Sequence, residues 1–260
     1  MLEPVSLWTN GVPRLHLASW DGDGPPVLLV HGMGAHSHWW DETAPLLAES
    51  VRPTAMDLSG HGDSDWRPDG VYGFERFAAD VEDARHALGW DRFALVGHSL
   101  GARVALEYAA RHPQRLSKVV AIDFVTETFA GSTRAQPFYD DGKAMAARYR
   151  LQPPGTTLDA QALEKLGSCS YKKSDGRYTW KFDWRCMSRP FEPAWDVFPK
   201  VKTPTLLVTG EKSAVMSPEQ MARVAEKIPG CRSEVVPKAH HHVPLDEPRA
   251  LAELLLKFLL

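Results

Sequence analysis

Cysteine is scarce in this chain: Cys169, Cys186 and Cys231 are the three among 260 residues. An odd number without metal-ligand spacing provides neither a disulfide framework nor a zinc site, and fits a reducing compartment. A surplus of basic charge is also missing. Lys and Arg number 30 against 33 Asp and Glu, a net charge of −3, so nothing calls for a nucleic-acid backbone or an anionic membrane as partner. No apolar run approaches the length of a membrane span. The opening Met1-Leu2-Glu3-Pro4 lacks the basic segment and apolar stretch of a leader, so a cytoplasmic location is expected. Internal repeats and low-complexity segments are absent too.

What is present suits a globular fold. The composition, 43% hydrophobic and 24% charged, supplies a buried sheet and a solvated exterior, and the length suits one core with an insertion. Val5 to Trp8 and Leu15 to Leu17 flank Asn10-Gly11 as an opening hairpin. Short continuous apolar runs follow at Val27 to Val30, Phe93 to Val96, Val119 to Ile122 and Thr205 to Val208, the pattern of strands buried on both faces of a parallel sheet. Helical spacing lies between them, at Phe74, Phe77, Val81, Ala84 and Leu88 and again from Ala102 through Arg111, and Pro248 to Leu260 reads as a closing helix. Strands alternating with helices predict an α/β fold with a mostly parallel sheet flanked by helices. The interval from Phe124 to Phe198, with its proline pairs and aromatics, breaks the alternation. It is expected to be an inserted, largely helical cap (124–198) on a core of 1–123 and 199–260.

One apolar run leads straight into chemistry. Phe93-Ala94-Leu95-Val96-Gly97-His98-Ser99-Leu100-Gly101 is a buried-strand pattern entering Gly-x-Ser-x-Gly and then a helix. A sharp strand-to-helix turn of this kind exposes its serine above the sheet. The alternative is a glycine-rich connection whose serine caps the helix. A serine nucleophile needs a base, and donors where negative charge develops. His31-Gly32-Met33-Gly34 follows another strand, and either aims the Met33 amide into the pocket beside that of Leu100 or is a plain turn.

Four blocks, in this order, resemble the α/β-hydrolase superfamily, and within it the capped serine esterases: His31-Gly32-Met33-Gly34, Asp57-Leu58-Ser59-Gly60-His61-Gly62-Asp63-Ser64, Gly97-His98-Ser99-Leu100-Gly101, and Val236-Pro237-Lys238-Ala239-His240-His241-His242. The resemblance spans nearly the whole chain. It implies the α/β-hydrolase fold and a covalent acyl-serine mechanism with Ser99 as nucleophile. Relatives with aspartate at the elbow are dehalogenases and epoxide hydrolases, against which Ser99 argues. In similar sequences the catalytic histidine lies five residues before an acid-x-Pro segment, and Asp246-Glu247-Pro248 then points to His241. His240 and His242 are left to face solvent or buttress the loop. A metal site on the three adjacent histidines is disfavoured because neighbouring residues seldom converge on one ion.

The acid departs from the family's usual pattern. Where relatives carry aspartate after the penultimate strand, Thr209-Gly210-Glu211-Lys212-Ser213 places Ser213. Asp123, ending the strand Val119-Val120-Ala121-Ile122, stands at the sheet edge where ligand and catalytic groups gather, and the superfamily has members resembling this arrangement. Asp123 is therefore the expected acid, with Glu211 as the alternative.

The expectation is a cofactor-free, metal-free serine hydrolase: Ser99, His241 and Asp123 in catalysis, the Met33 and Leu100 amides as oxyanion hole, and a small-molecule ester, largely apolar, as substrate. Trp39 and Trp40, beside the oxyanion loop, suggest an apolar pocket. Two further readings stay open. One is a carbon–carbon bond hydrolase, which the loop Met33-Gly34-Ala35-His36 does not match in its usual glycine-proline form. The other is a ligand-binding protein on the same fold with weak turnover.

Overall fold

A computed structural model describes residues 3–128 and 130–260; Met1 and Leu2, at the front of the stretch read for a leader, and Phe129, inside the expected cap, lie outside the described residues. The opening hairpin pairs β1 (Val5–Trp8) with β2 (His16–Ser19), Trp8 opposite His16. Its loop is longer than the two-residue turn that Asn10-Gly11 suggested, closing where the Thr9 amide donates to Leu15 O. The sheet continues through β3 (Pro26–Val30), β4 (Arg52–Met56), β5 (Phe93–His98) and β6 (Leu116–Ile122). After a long excursion holding β7 (Tyr171–Ser174) and β8 (Arg177–Trp180), it ends with β9 (Thr205–Gly210) and β10 (Arg232–Val236). The order across the eight-stranded sheet is β1-β2-β4-β3-β5-β6-β9-β10, parallel from β4 to β10.

The helices are α1 (Ala44–Leu47), α2 (Phe74–Ala87), α3 (Leu100–Arg111), α4 (Gly142–Ala146), α5 (Ala160–Cys169), α6 (Pro218–Ala225), α7 (Val243–Asp246) and α8 (Pro248–Leu259). Alternation along the strands shows why the central runs had to be apolar throughout. Leu28 and Val30 join a core with Phe77 and Val81 of α2 and Val104 of α3, whereas Val27 and Leu29 join the opposite core with Leu47 of α1 and Leu251 and Leu255 of α8. A strand clad by helices on both faces buries every side chain.

Two of the parallel strands carry no such continuous apolar signature. In β4, Pro53 interrupts the run, and in β10 only Val236 is buried, as suits an edge.

The segment between β6 and β9 is less helical than its sequence suggested. It contains α4, α5, the β7–β8 hairpin, short 3-10 turns and otherwise irregular chain among its described residues. Pro137, Pro153, Pro154, Pro190 and Pro193 remove amide donors and restrict the preceding residues, which keeps helices short. The hairpin turns at Asp175-Gly176, both at positive φ (48° and 80°), the Asp-Gly signal of a two-residue turn.

Candidate active site

The strand-to-helix turn after β5 is held in a conformation that its glycines permit. Ser99 has φ 53° and ψ −114°, outside the regions comfortable for a side chain, and such strain persists only where packing over-determines it. A Cβ on Gly97 would stand 2.1 Å from Gly101 O, and one on Gly101 would stand 2.4 Å from Val30 O. Both positions therefore exclude any larger residue. Ser99 occupies the residue before α3, yet its side chain makes no capping bond to the helix. It points instead to His241, with Oγ 3.2 Å from Nε2.

His241 lies in the loop after β10, buried, and its Nδ1–H donates to Asp123 Oδ1 at 2.7 Å. Asp123, directly after β6, is fully buried and also has positive φ (43°). Its carboxylate accepts three further bonds: Ser213 Oγ to Oδ1 (2.8 Å), and Thr209 Oγ1 (2.7 Å) and the Gly210 amide (3.0 Å) to Oδ2. Ser213, standing where relatives carry an acid, thus holds the acid supplied by the neighbouring strand. Glu211, the alternative acid, is exposed and accepts from the Lys238 amide at 2.8 Å. Of the two carboxylates, Asp123 is the one brought to His241.

Met33, Leu100, Ser99 and His241 line one cavity of about 650 Å³. Gly34 sits at φ 69°, and a Cβ on Gly32 would crowd Ser99 Cβ at 3.1 Å, so the turn after β3 lies directly against the serine. The amino terminus of α3 opens there as well, adding its positive dipole end. Trp39, Trp180, Phe182 and Phe191 provide apolar wall. Trp40, by contrast, is fully buried in the core beneath.

The surrounding histidines serve the scaffold. His98 donates from Nε2 to the His241 carbonyl (2.8 Å), and His242 from Nε2 to Pro153 O (2.9 Å), so His242 buttresses the excursion from a buried position rather than facing solvent. Burial lowers His98 well below its ordinary range and brings His242 to about 4; both stay neutral near pH 7 and put no cation beside His241. His31 bridges Gly32 O and the Leu58 amide, and His61 donates to Ser59 O.

The histidines that converge are His98, His241 and His242, each offering one nitrogen within 4.8 Å of the others; the sequential triple does not, since His240 is absent from this group. A metal ion there would have to draw on the ring of His241 that faces Ser99.

The Asp246 tether and the burial of Arg103 escaped sequence reasoning. Asp246 accepts from the His240 amide (2.8 Å), the Thr156 hydroxyl (2.6 Å) and the Thr157 amide (2.9 Å), tying the histidine loop to the excursion. The strip Tyr178 to Asp183 docks on the turn after β4 through Gly62 N to Lys181 O and Asp183 N to Gly60 O. Arg103, one turn into α3, is buried in the cavity wall; its sequence signal, a charge at a position facing the core, lay unused within the helical pattern.

A family model of the alpha/beta hydrolase fold matches residues 25–166. Among curated proteins, a serine hydrolase-like protein of Danio rerio is 29% identical, covering 91% of this chain and 82% of that one. An esterase of Mycobacterium tuberculosis is 26% identical, covering 90% and 83%. Among solved structures, that of E-2-(acetamidomethylene)succinate hydrolase superposes with a TM-score of 0.85 at 26% identity, covering 98% of this chain and 99% of that one.

Proposed function

We propose, from the premise that this chain belongs to the α/β-hydrolase fold family, that it is a serine hydrolase cleaving carboxylic esters of small to medium, largely apolar acids through an acyl-serine intermediate. The observation carrying this reading is the unbroken relay Ser99 Oγ, His241 Nε2, His241 Nδ1, Asp123 Oδ1, with steps of 3.2 and 2.7 Å, opening on an apolar-walled cavity. His241 takes the Ser99 proton as the hydroxyl attacks the carbonyl, and Asp123 keeps the imidazole in the tautomer and orientation that attack requires. The Met33 and Leu100 amides hold the developing oxyanion, each worth about 3 kcal/mol. Collapse of the tetrahedral species expels the alcohol, protonated by His241, and water repeats the sequence on the acyl-enzyme.

Within this reading, residues 124–198 act as an inserted cap on a core of 1–123 and 199–260. The docking of Tyr178 to Asp183 on the turn after β4, and the Asp246 tether, support a cap anchored at both sides of the cavity. A second reading, cleavage of a bond other than an ester, draws on the likeness to E-2-(acetamidomethylene)succinate hydrolase across nearly the full length of both chains; the same relay would serve it.

The test is hydrolysis of short and medium chain p-nitrophenyl esters by wild type and Ser99→Ala in parallel. Turnover with an initial burst in wild type, reduced by at least about a thousandfold in the variant, is expected. Equal turnover in both would overturn the reading, and absence of turnover in either would favour the second.

A further inference from the structure

Arg103 is 94% buried by its 6% exposure, lines the same cavity as Ser99, and has no carboxylate within salt-bridge distance among the described residues. Glu107 is engaged by Arg111 and Asp196 by Lys200. Among the described residues its guanidinium makes one long bond from Nη2 to Glu192 O (3.4 Å) and lies over the faces of Phe74 and Phe198, 4.6 and 5.9 Å from the guanidinium carbon. Nη1 is buried without a hydrogen-bond partner among the described residues. Burial lowers its pKa to about 10, so the group stays charged near neutrality.

A buried guanidinium without an anion is costly, and ring faces recover only part of what its hydration supplied. The planar fork is built to take a carboxylate through two parallel bonds. Position matters as much as charge. Arg103 lies in the first turn of α3, the helix that starts directly after Ser99, and the two residues line one cavity.

Glu127 and Glu192 also line the cavity, but so do Arg148 and Arg150, and all four are exposed. Solvent screens them, whereas the buried Arg103 acts at lower effective dielectric.

The geometry points to Arg103 as the anchor for a carboxylate at the far end of the substrate's acyl arm, which makes the substrates half-esters of medium dicarboxylic acids. This inference rests on the serine-hydrolase reading above and narrows its substrate class: an apolar arm between the scissile carbonyl and a terminal anion.

The test compares kcat/KM for the p-nitrophenyl half-ester of adipate with that of its neutral methyl-ketone isostere, in wild type, Arg103→Met and Arg103→Lys, each checked for folding by thermal melting. Calorimetric binding of free adipate to wild type and Arg103→Met accompanies it. Expected is a wild-type preference for the anionic ester of about tenfold or more, lost in Arg103→Met and partly restored in Arg103→Lys, with adipate binding weakened about tenfold in Arg103→Met. A wild-type ratio at or below one, a ratio unchanged in folded Arg103→Met, or no adipate binding to wild type would each overturn the anchor. Should neither ester turn over while adipate binds through Arg103, the hydrolase reading fails and the anchor stands. Should Arg103→Met fail to fold, the wild-type ratio and Arg103→Lys decide.

Discussion

The two walls of the cavity are built differently. The wall carrying Ser99, His241 and Asp123 stands at the ends of β5 and β6 and in the loop after β10; main-chain bonds fix Ser99 (N to Ile122 O, 2.8 Å) and Asp123 (N to Val208 O, 2.8 Å) to their neighbouring strands, and the His98 ring holds the His241 carbonyl (2.8 Å). The facing wall, with Tyr149, Trp180, Phe182 and Phe191, comes from proline-punctuated chain held by side-chain tethers such as Gln136 Nε2 to Thr179 Oγ1 (2.7 Å) and Asp246 to Thr156. The contrast separates two tasks. The hydrogen-bonded relay is set by sheet register and by the loop after β10, while the shape of the cavity is set by packing, which substitution can alter without moving Ser99, His241 and Asp123.

Breaking the first wall has the largest expected effect. Asp123→Asn should lower kcat by about a hundred- to ten-thousandfold, whereas Glu211→Gln should change it by less than about twofold, because Glu211 is turned to the Lys238 amide; steady-state kinetics on one p-nitrophenyl ester reads both. The reverse ranking would move the acid to Glu211. Adding Ser213→Asp to Asp123→Asn should return about tenfold of the lost rate, since Ser213 Oγ is 2.8 Å from the carboxylate it now holds.

Next in size is the scaffold under that wall. Gly97→Ala should cost about 3 kcal/mol or more in urea denaturation, because its methyl would collide with the Gly101 carbonyl. An unchanged midpoint would show that the turn can relax.

A further effect, shared by the buried histidines of the scaffold, acts through pH. His36 and His61 are brought to about 3 by burial, His242 to about 4, and burial also lowers His31 and His98. Unfolding returns each to about 6.5, so protons bind the unfolded chain first as pH falls. Stability is complete above about pH 6.5 and is lost on acidification toward 4, by up to about 1.4 kcal/mol per pH unit for each histidine. Asp80, raised to about 6 by burial, takes up its proton in the folded state and offsets one of them. Melting temperature should therefore fall steeply from pH 7 to 5; a flat profile would mean that these imidazoles are hydrated.

The smallest effect falls on the second wall. Trp180→Ala should raise KM several-fold for an apolar ester with a lesser change in kcat, and the opposite split would place Trp180 in transition-state binding.

Legibility followed the same division. The runs Val27 to Val30, Phe93 to Val96, Val119 to Ile122 and Thr205 to Val208 became β3, β5, β6 and β9 because double-sided burial leaves a continuous apolar mark. Polar edge strand β10 and proline-bearing β4 leave none. In the excursion, aromatics and prolines announced an insertion, whereas the Asp175-Gly176 turn and the helix-shortening effect of the prolines on α4 and α5 were local signals left unread. Arg103 was passed over for a different reason: its place on the core-facing side of the helical pattern was a signal, but a lone arginine in an amphipathic helix reads as surface until the packing of Phe74 and Phe198 around it shows it enclosed.

By itself the sequence determined the α/β-hydrolase fold, through strand burial and glycine spacing, and brought Ser99 to a strained turn that no larger neighbour than glycine allows. Which acid meets His241, which histidines are sealed in the core, and which cation faces the cavity were decided by the tertiary structure alone. Residues separated by 118 positions, as Asp123 and His241 are, become partners through the register of strands that local sequence does not encode.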